Sequence, residues 1–284
     1  IGSGPWVLSI VGILLIGIFS ASVVIPGVLV TQFQTSVTYL VACSLIYTGL
    51  VQLAFTRFIS DRLFEKRKDM VLPNLHGLLV LGLLGACVLG TAARFIALPG
   101  QGRVSRLIAV AAVLGSLALF IVFPGERLLY RLLMLAGFCV MCGVWVLAIL
   151  LSGMKRYKAI VLLFGVSYGL IVVSALLMRP WGLEGLLGGF VLGNYVLLAG
   201  MWLLVVREFN PSGPIIAFDF ARRAMLYPTL MAIGLLYNLG VWIDKFMFWY
   251  FPPTSDAIIG SLRASIIYDL PVFLSYLSII PGMA

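Results

Sequence analysis

The chain has 284 residues, 62% of them hydrophobic and 10% charged, with 19 Lys+Arg against 10 Asp+Glu for a net charge of +9. A soluble domain is roughly half apolar and about a quarter charged, so the composition excludes a soluble globule, a disordered chain and a small disulfide scaffold. A bilayer-spanning helix takes about 20 mostly apolar residues, and the apolar content suffices for about eight of them; the fold class expected is an all-α polytopic membrane protein.

The chain opens Ile1-Gly2-Ser3-Gly4-Pro5-Trp6 and runs straight into an apolar segment, with no initiator Met and no signal-peptide pattern. It stops at Pro281-Gly282-Met283-Ala284, so a piece of a longer protein with further helices is expected. Residues 1–56 carry no charge, which is too long for one span. Pro26-Gly27 and Thr31-Gln32-Phe33-Gln34 mark a break between spans at about 5–25 and 35–56. From Arg57 to Asp69 there are five bases in thirteen residues. Basic loops stay in the cytoplasm, which places this segment and the start of the first span there. Apolar runs follow at 71–93, 107–123 and 128–153, before a second basic cluster at Lys155-Arg156-Tyr157-Lys158. Two cytoplasmic clusters require an even number of crossings. Either one run fails to cross or one cluster lies outside. The candidates are 71–93, with Pro73, Asn74, His76 and several glycines, and the short 107–123. Between them Arg94, Arg103 and Arg106 also favour the cytoplasm. The threading of 71–123 stays ambiguous, with one run expected to be re-entrant, interfacial or half of a broken span.

Later spans are expected at about 158–178, 183–206, 225–250 and 266–284. Arg179-Pro180-Trp181-Gly182 reads as a tight outside turn. The linker 207–224, with Arg207, Arg222 and Arg223, reads as cytoplasmic. Within it Ile215, Ile216, Phe218 and Phe220 surround Asp219, a pattern for a short amphipathic segment on the membrane surface. The loop 251–265 is then outside. The chain accordingly divides at the linker 207–224 into an apolar part at 1–206 and another at 225–284.

Asp244 and Lys245 are the most informative charges, because they sit inside the apolar run 225–250. A charge at mid-membrane costs about 2.5–3.5 kcal/mol on insertion scales, and such residues face a cavity or a partner. Adjacent side chains point about 100° apart on a helix, so a simple pairing of the two is not expected; an interfacial position with Lys245 snorkelling is the competing reading. Asp269, near the start of its run, reads as interfacial. Thr48, Gln52, Asn194, Asn238 and the single histidine, His76, are polar residues inside spans that can hydrogen-bond between helices. Gly185, Gly189 and Gly193 recur every fourth residue, the spacing that lets helix backbones approach closely. The cysteines Cys43, Cys87, Cys139 and Cys142 lie in apolar runs and read as small buried hydrophobes. Cys139 and Cys142 form a CxxC without the second pair that a zinc site needs. No Walker loop, HExxH or GxSxG occurs, and the acids are scattered, so neither an enzyme nor a cofactor or metal requirement is expected.

Seven segments in order carry a resemblance: Gly4-Pro5-Trp6, Ser60 to Arg67, Val71-Leu72-Pro73-Asn74, Leu151-Ser152-Gly153, Gly182 to Leu187, Tyr237 to Lys245, and Pro271 to Ala284. Together they resemble the PelG family, the membrane exporter subunit of the Pel exopolysaccharide system. That family is similar to the flippase superfamily of drug/sodium antiporters and lipid-linked oligosaccharide flippases, in which two six-helix lobes surround a central cavity. The resemblance implies that this chain holds the first lobe and the first two helices of the second. It implies export of a growing amino-sugar polysaccharide across the bacterial inner (cytoplasmic) membrane. The implied partners are a cytosolic glycosyltransferase, other membrane subunits and the lipid bilayer, with no nucleic acid. Asp244, on a matching segment, is the first candidate for a cavity-lining or coupling residue, with Lys245, Asn238, Asn194 and Gln52 beside it. The rival readings are a flippase for lipid-linked oligosaccharide or small molecules, and a non-transporting scaffold of a polysaccharide synthase complex.

Overall fold

The computed structural model describes residues 27–82, 127–154, 156–209, 214–222, 227–260 and 262–282. The first helix, α1 (Gly27–Phe64), has 38 residues and is about 57 Å long at 1.5 Å per residue. It overruns the expected span 35–56 at both ends. Thr31 to Gln34 do not interrupt it, because the polar side chains of this helix are satisfied on the helix itself. Thr31, Ser36, Thr38, Thr56 and Ser60 each donate to the carbonyl four residues back. The basic segment expected as a loop begins as the last turns of α1. Lys66 stops the helix with φ at 59°. Arg67 N donates to Arg62 O and Lys66 N to Leu63 O, the paired bonds that close a helix through a left-handed residue.

A single 3-10 turn (Lys68–Met70) leads into a second helix, α2, over 71–82. Its Pro73 lies in the first turn, where a missing N–H does no harm. Then come α3 (Leu128–Gly153), α4 (Tyr157–Met178) and α5 (Gly182–Glu208). Gly182, with φ at 66°, follows the turn Arg179–Trp181 and folds α5 back on α4. The expected tight turn is there, and so is the close packing expected of the glycine series. A Cβ on Gly189 would come within 2.6 Å of the Ala175 Cα, and Ser174 Oγ donates to the Gly189 carbonyl at 3.0 Å. Helices α1, α3, α4 and α5 supply most of the buried core, with Leu40, Phe138, Met134, Phe164 and Leu197 fully enclosed.

The sixth helix, α6 (Pro228–Tyr250), packs antiparallel on α1 and leaves much of its surface exposed. The expected loop 251–265 contains a two-stranded antiparallel hairpin, β1 (Asp256–Ile259) and β2 (Leu262–Ala264), turned at Gly260 with φ at 54°. The fold is mostly helical as expected, with this hairpin, whose strands pair with each other between α6 and the last helix, as a small addition. The last helix is α7 (Ile266–Gly282). Among the described residues four stretches are long and apolar enough to cross a membrane: Gly27–Phe64, Leu128–Gly153, Lys158–Glu208 and Pro228–Tyr250. The third comprises the two legs of the α4–α5 hairpin. The expected span 5–25, the run 107–123 and most of the ambiguous 71–123 region lie outside the described residues.

The stretch of the linker expected to be amphipathic packs on α2. Residues 214–222 run as irregular chain to a 3-10 turn at Asp219–Ala221 and are stitched to α2. Ala217 N donates to the Pro73 carbonyl at 3.0 Å. Gly77 leaves the space into which Ala217 O fits. Asn74 Oδ1 accepts from Asp219 N at 2.8 Å and Phe220 N at 3.4 Å, while its amide donates to Asp219 Oδ2. Phe220 meets Phe55 and Phe58 edge-on. His76 closes the seam: Trp202 donates to Nε2 at 3.1 Å, which leaves Nδ1 as donor to the Ile215 carbonyl at 2.9 Å.

Candidate functional site

Asp244 lies six residues before the end of α6, about 9 Å along the axis. That end is where α6, α7 and the hairpin meet α1. Lys245 is buried at 7% exposure. Its ammonium sits 5.1 Å from the centre of the Trp242 ring, a cation–π arrangement. It also reaches back to 3.9 Å from Asp244 Oδ1. The expectation that the two would not pair is therefore corrected: the four-carbon stem curls across the 100° between neighbours and brings the charges within ion-pair range.

The Asp244 side chain is 45% exposed, and Tyr268 of α7 donates to its Oδ2. Phe248 stacks face to face on Tyr268 at 4.0 Å, which fixes that phenol. Oδ2 is thus held by Tyr268 while Oδ1 is buried and turned toward Lys245, so the exposed part of the side chain lies away from Oδ1. Asp269 serves this junction too. Its carboxylate accepts from Trp249 Nε1 at 2.9 Å and from Ser265 N at 3.1 Å, just ahead of α7. Asp269 thereby ties the start of α7 to the end of α6.

Tyr39 of α1 anchors the same end. It is fully buried and stacks on Trp249 at 4.7 Å, with Phe246 edge-on. Its hydroxyl donates to the Arg263 carbonyl at 2.9 Å. Gln32 donates to the Ile258 carbonyl at 3.4 Å, so two α1 side chains hold the hairpin backbone.

The other candidates lie elsewhere. Asn238 is at the middle of the α1–α6 contact, and its amide donates to the Gly234 carbonyl at 2.9 Å. Gln52 is buried in α1 and donates to Thr48 Oγ1 at 2.8 Å. Asn194 is buried in α5 and donates to the Phe190 carbonyl at 2.9 Å. Each of these bonds is local to its own helix. The structure brings Asp244 and Lys245 together and places Asn238 on the same helix, two turns away. Sequence reasoning passed over Tyr39, Arg263 and Tyr268. The aromatic run Phe246-Met247-Phe248-Trp249-Tyr250 was the available signal for an aromatic-walled junction. Nothing local singled out Tyr39 in the uncharged stretch 1–56.

At the opposite end of α6, Tyr227 donates to Asp61 Oδ2 at 2.6 Å, and Arg57 pairs with Asp61 at 3.2 Å. The Asp61 carboxylate holds the Tyr227 phenol above its ordinary pKa by accepting its proton in a hydrogen bond, against the opposing pull of the Arg57 guanidinium.

A fixed carboxylate beside a buried ammonium, walled by aromatic rings, can accept hydrogen bonds from hydroxyl or ammonium donors that pass it. No curated protein and no solved structure matches this chain. A family model does match, over residues 1–115 and 101–284, and its description reads "PelG: Putative exopolysaccharide Exporter (EPS-E)".

Proposed function

The chain belongs to the PelG family of exopolysaccharide exporters, and we propose from that premise that it moves a Pel-like amino-sugar polymer across the bacterial inner membrane through a central cavity. The match over the whole chain carries this reading. In it the protein is a multi-pass chain of about eight spans, with residues 1–206 as the first lobe, 207–224 as a cytoplasmic linker and 225–284 as the start of the second lobe. The contact of α6 with α1 is then the contact between lobes, and rocking of one lobe on the other gives alternating access. Asp244 lines the path near the outer end of α6. Its half-exposed side chain supports that role, since a purely structural acid on a membrane helix would be closed off by its partners. Lys245 and Asn238 line the same helix, while Gln52 and Asn194 support the lobe interior. A cytosolic glycosyltransferase and other membrane subunits hand over the growing chain.

The test deletes the gene in its host and restores it as wild type or Asp244→Ala. Polymer outside and inside the cell is quantified, with membrane abundance of the protein as control. The reading expects deletion to abolish secreted polymer, and the variant to accumulate normally while retaining polymer inside. Unchanged secretion on deletion refutes it. A cysteine at position 244 that water-soluble maleimides never reach favours the scaffold reading instead.

A further inference from the structure

Between α1, α2, the linker and the first turn of α6 lies an open recess of about 110 Å³ that no role above uses. Its walls are Val51, Ala54, Phe55, Leu78 and Met231, closed by Phe220 of the linker. The lining is apolar apart from Tyr227, whose hydroxyl is already committed to Asp61. Water in such a space finds no polar partners and is disfavoured, while an empty apolar recess forfeits dispersion contacts on every wall. A hydrocarbon chain satisfies both conditions.

The rim supplies the other half of a lipid. Arg57 pairs with Asp61 and remains 59% exposed; Arg222, next to the lining residue Ala221, pairs with Asp219 and remains 72% exposed. A guanidinium has five donors, so each keeps several after one carboxylate contact, and the fork geometry suits phosphate oxygens. The two acids on this rim are occupied: Asp61 by Arg57 and Tyr227, Asp219 by Arg222 and Asn74. Over residues 57–69 five bases face three acids, which adds a net attraction for an anionic headgroup.

We propose that this recess is a binding site for one anionic phospholipid, with an acyl chain lying against Ala54 and Leu78 and the phosphate held by Arg57 and Arg222. The lipid fills the gap between α1 and the start of α6 on the membrane face that carries the basic segment.

The test uses the full purified chain in nanodiscs of phosphatidylglycerol or phosphatidylcholine, each carrying a photoactivatable diazirine on the acyl chain. Adducts are mapped by mass spectrometry. The expected result is phosphatidylglycerol labelling around 51–55 and 231 at least five-fold above that on the exposed α4 face at Leu162 and Val166. Ala54→Trp, which fills the recess, lowers it at least five-fold without changing the α4 labelling. Arg57→Gln, a surface change that leaves the walls intact, lowers phosphatidylglycerol labelling several-fold and leaves phosphatidylcholine labelling alone. Equal labelling at the recess and on α4, or equal labelling by the two lipids with no effect of Arg57→Gln, overturns the proposal and reduces the recess to ordinary bilayer contact. The readout needs no transport, so the lipid site and the exporter reading fail separately.

Discussion

Gly49 and Gly234 are the point where α1 and α6 touch backbone to backbone, and replacing either should part the two helices. A Cβ built on Gly49 meets the Gly234 carbonyl oxygen at 2.7 Å and the Asn238 amide at 2.7 Å, whereas ordinary van der Waals contact begins at 3.4 Å. The Asn238 side chain can swing aside. The carbonyl cannot, because it belongs to the α6 backbone and accepts from Asn238. Gly49→Ala therefore requires the helices to separate by about 0.7 Å at this point. Overpacking of this kind costs about 1–3 kcal/mol, offset by about 0.5–1 kcal/mol of helix propensity gained on replacing glycine. The net expectation is a loss of about 1–2 kcal/mol. Gly240 is the internal control: it lies on α6, and a Cβ there meets nothing within 4 Å. Gly240→Ala should be neutral or stabilising. The assay is thermal unfolding of the purified protein in detergent, followed by tryptophan emission, with secreted polymer measured in parallel. Gly49→Ala should melt several degrees below wild type, Gly240→Ala at or above it. Equal melting of Gly49→Ala and Gly240→Ala would refute the close approach, and with it the placement of α6 on α1.

Three further outcomes follow from the same geometry. Asp244→Asn and Lys245→Met should each impair export, and the double variant should lose less than the sum of the two. Strict additivity of the secreted-polymer losses would show the charges to act apart. Asn74→Ala leaves the Asp219 and Phe220 amides without their acceptor, a loss of about 1–3 kcal/mol for buried donors. Trypsin should then cut after Arg222 much faster than in wild type, and an unchanged digestion rate would rule out the clamp. The raised Tyr227 pKa means that folding favours the protonated phenol. Its contribution is fully present below the ordinary tyrosine pKa of about 10 and is lost as pH rises through the higher folded value. The stability gap between wild type and Tyr227→Phe should be constant through neutral pH and close only in strong alkali. A gap that closes between pH 6 and 8 would exclude the Asp61 bond as its source.

The helical membrane class was legible because hydropathy is additive along a chain: a bilayer asks only for a run of apolar residues, and the runs are there. The α4–α5 hairpin was legible from Pro180, Gly182 and the every-fourth glycine series, since small residues mark where backbones meet. What the sequence hid were features that depend on partners distant in the chain. Thr31 to Gln34 looked like a break because their polarity was visible and their partners, the carbonyls of α1 itself and of Ile258, were not. The hairpin at 256–264 has too few residues for a periodic signal, and Tyr39 and Gln32, which hold it, are more than 200 positions away. Asp219 read only as the polar residue of an amphipathic segment; its clamp with Asn74, 145 positions away, was not visible.

The two ends of the α1–α6 contact are built differently, and that difference bears on how an exporter of this architecture would open. At the hairpin end Tyr39, Trp249 and Leu262 are buried, with the hairpin backbone bonded to α1 at two places. Separating the helices there breaks a packed aromatic cluster and exposes the hairpin carbonyls together. At the Tyr227 end, among the described residues, one side-chain bond to Asp61 stands beside an apolar recess of about 110 Å³. Separation there breaks one exchangeable hydrogen bond and exposes walls that already lack protein contacts. With the glycine crossing as the tight point between them, the cheaper motion swings the start of α6 away from α1 about Gly49 and Gly234. In the export cycle proposed above, the Asp244 end would stay closed while the basic end opens to admit polymer.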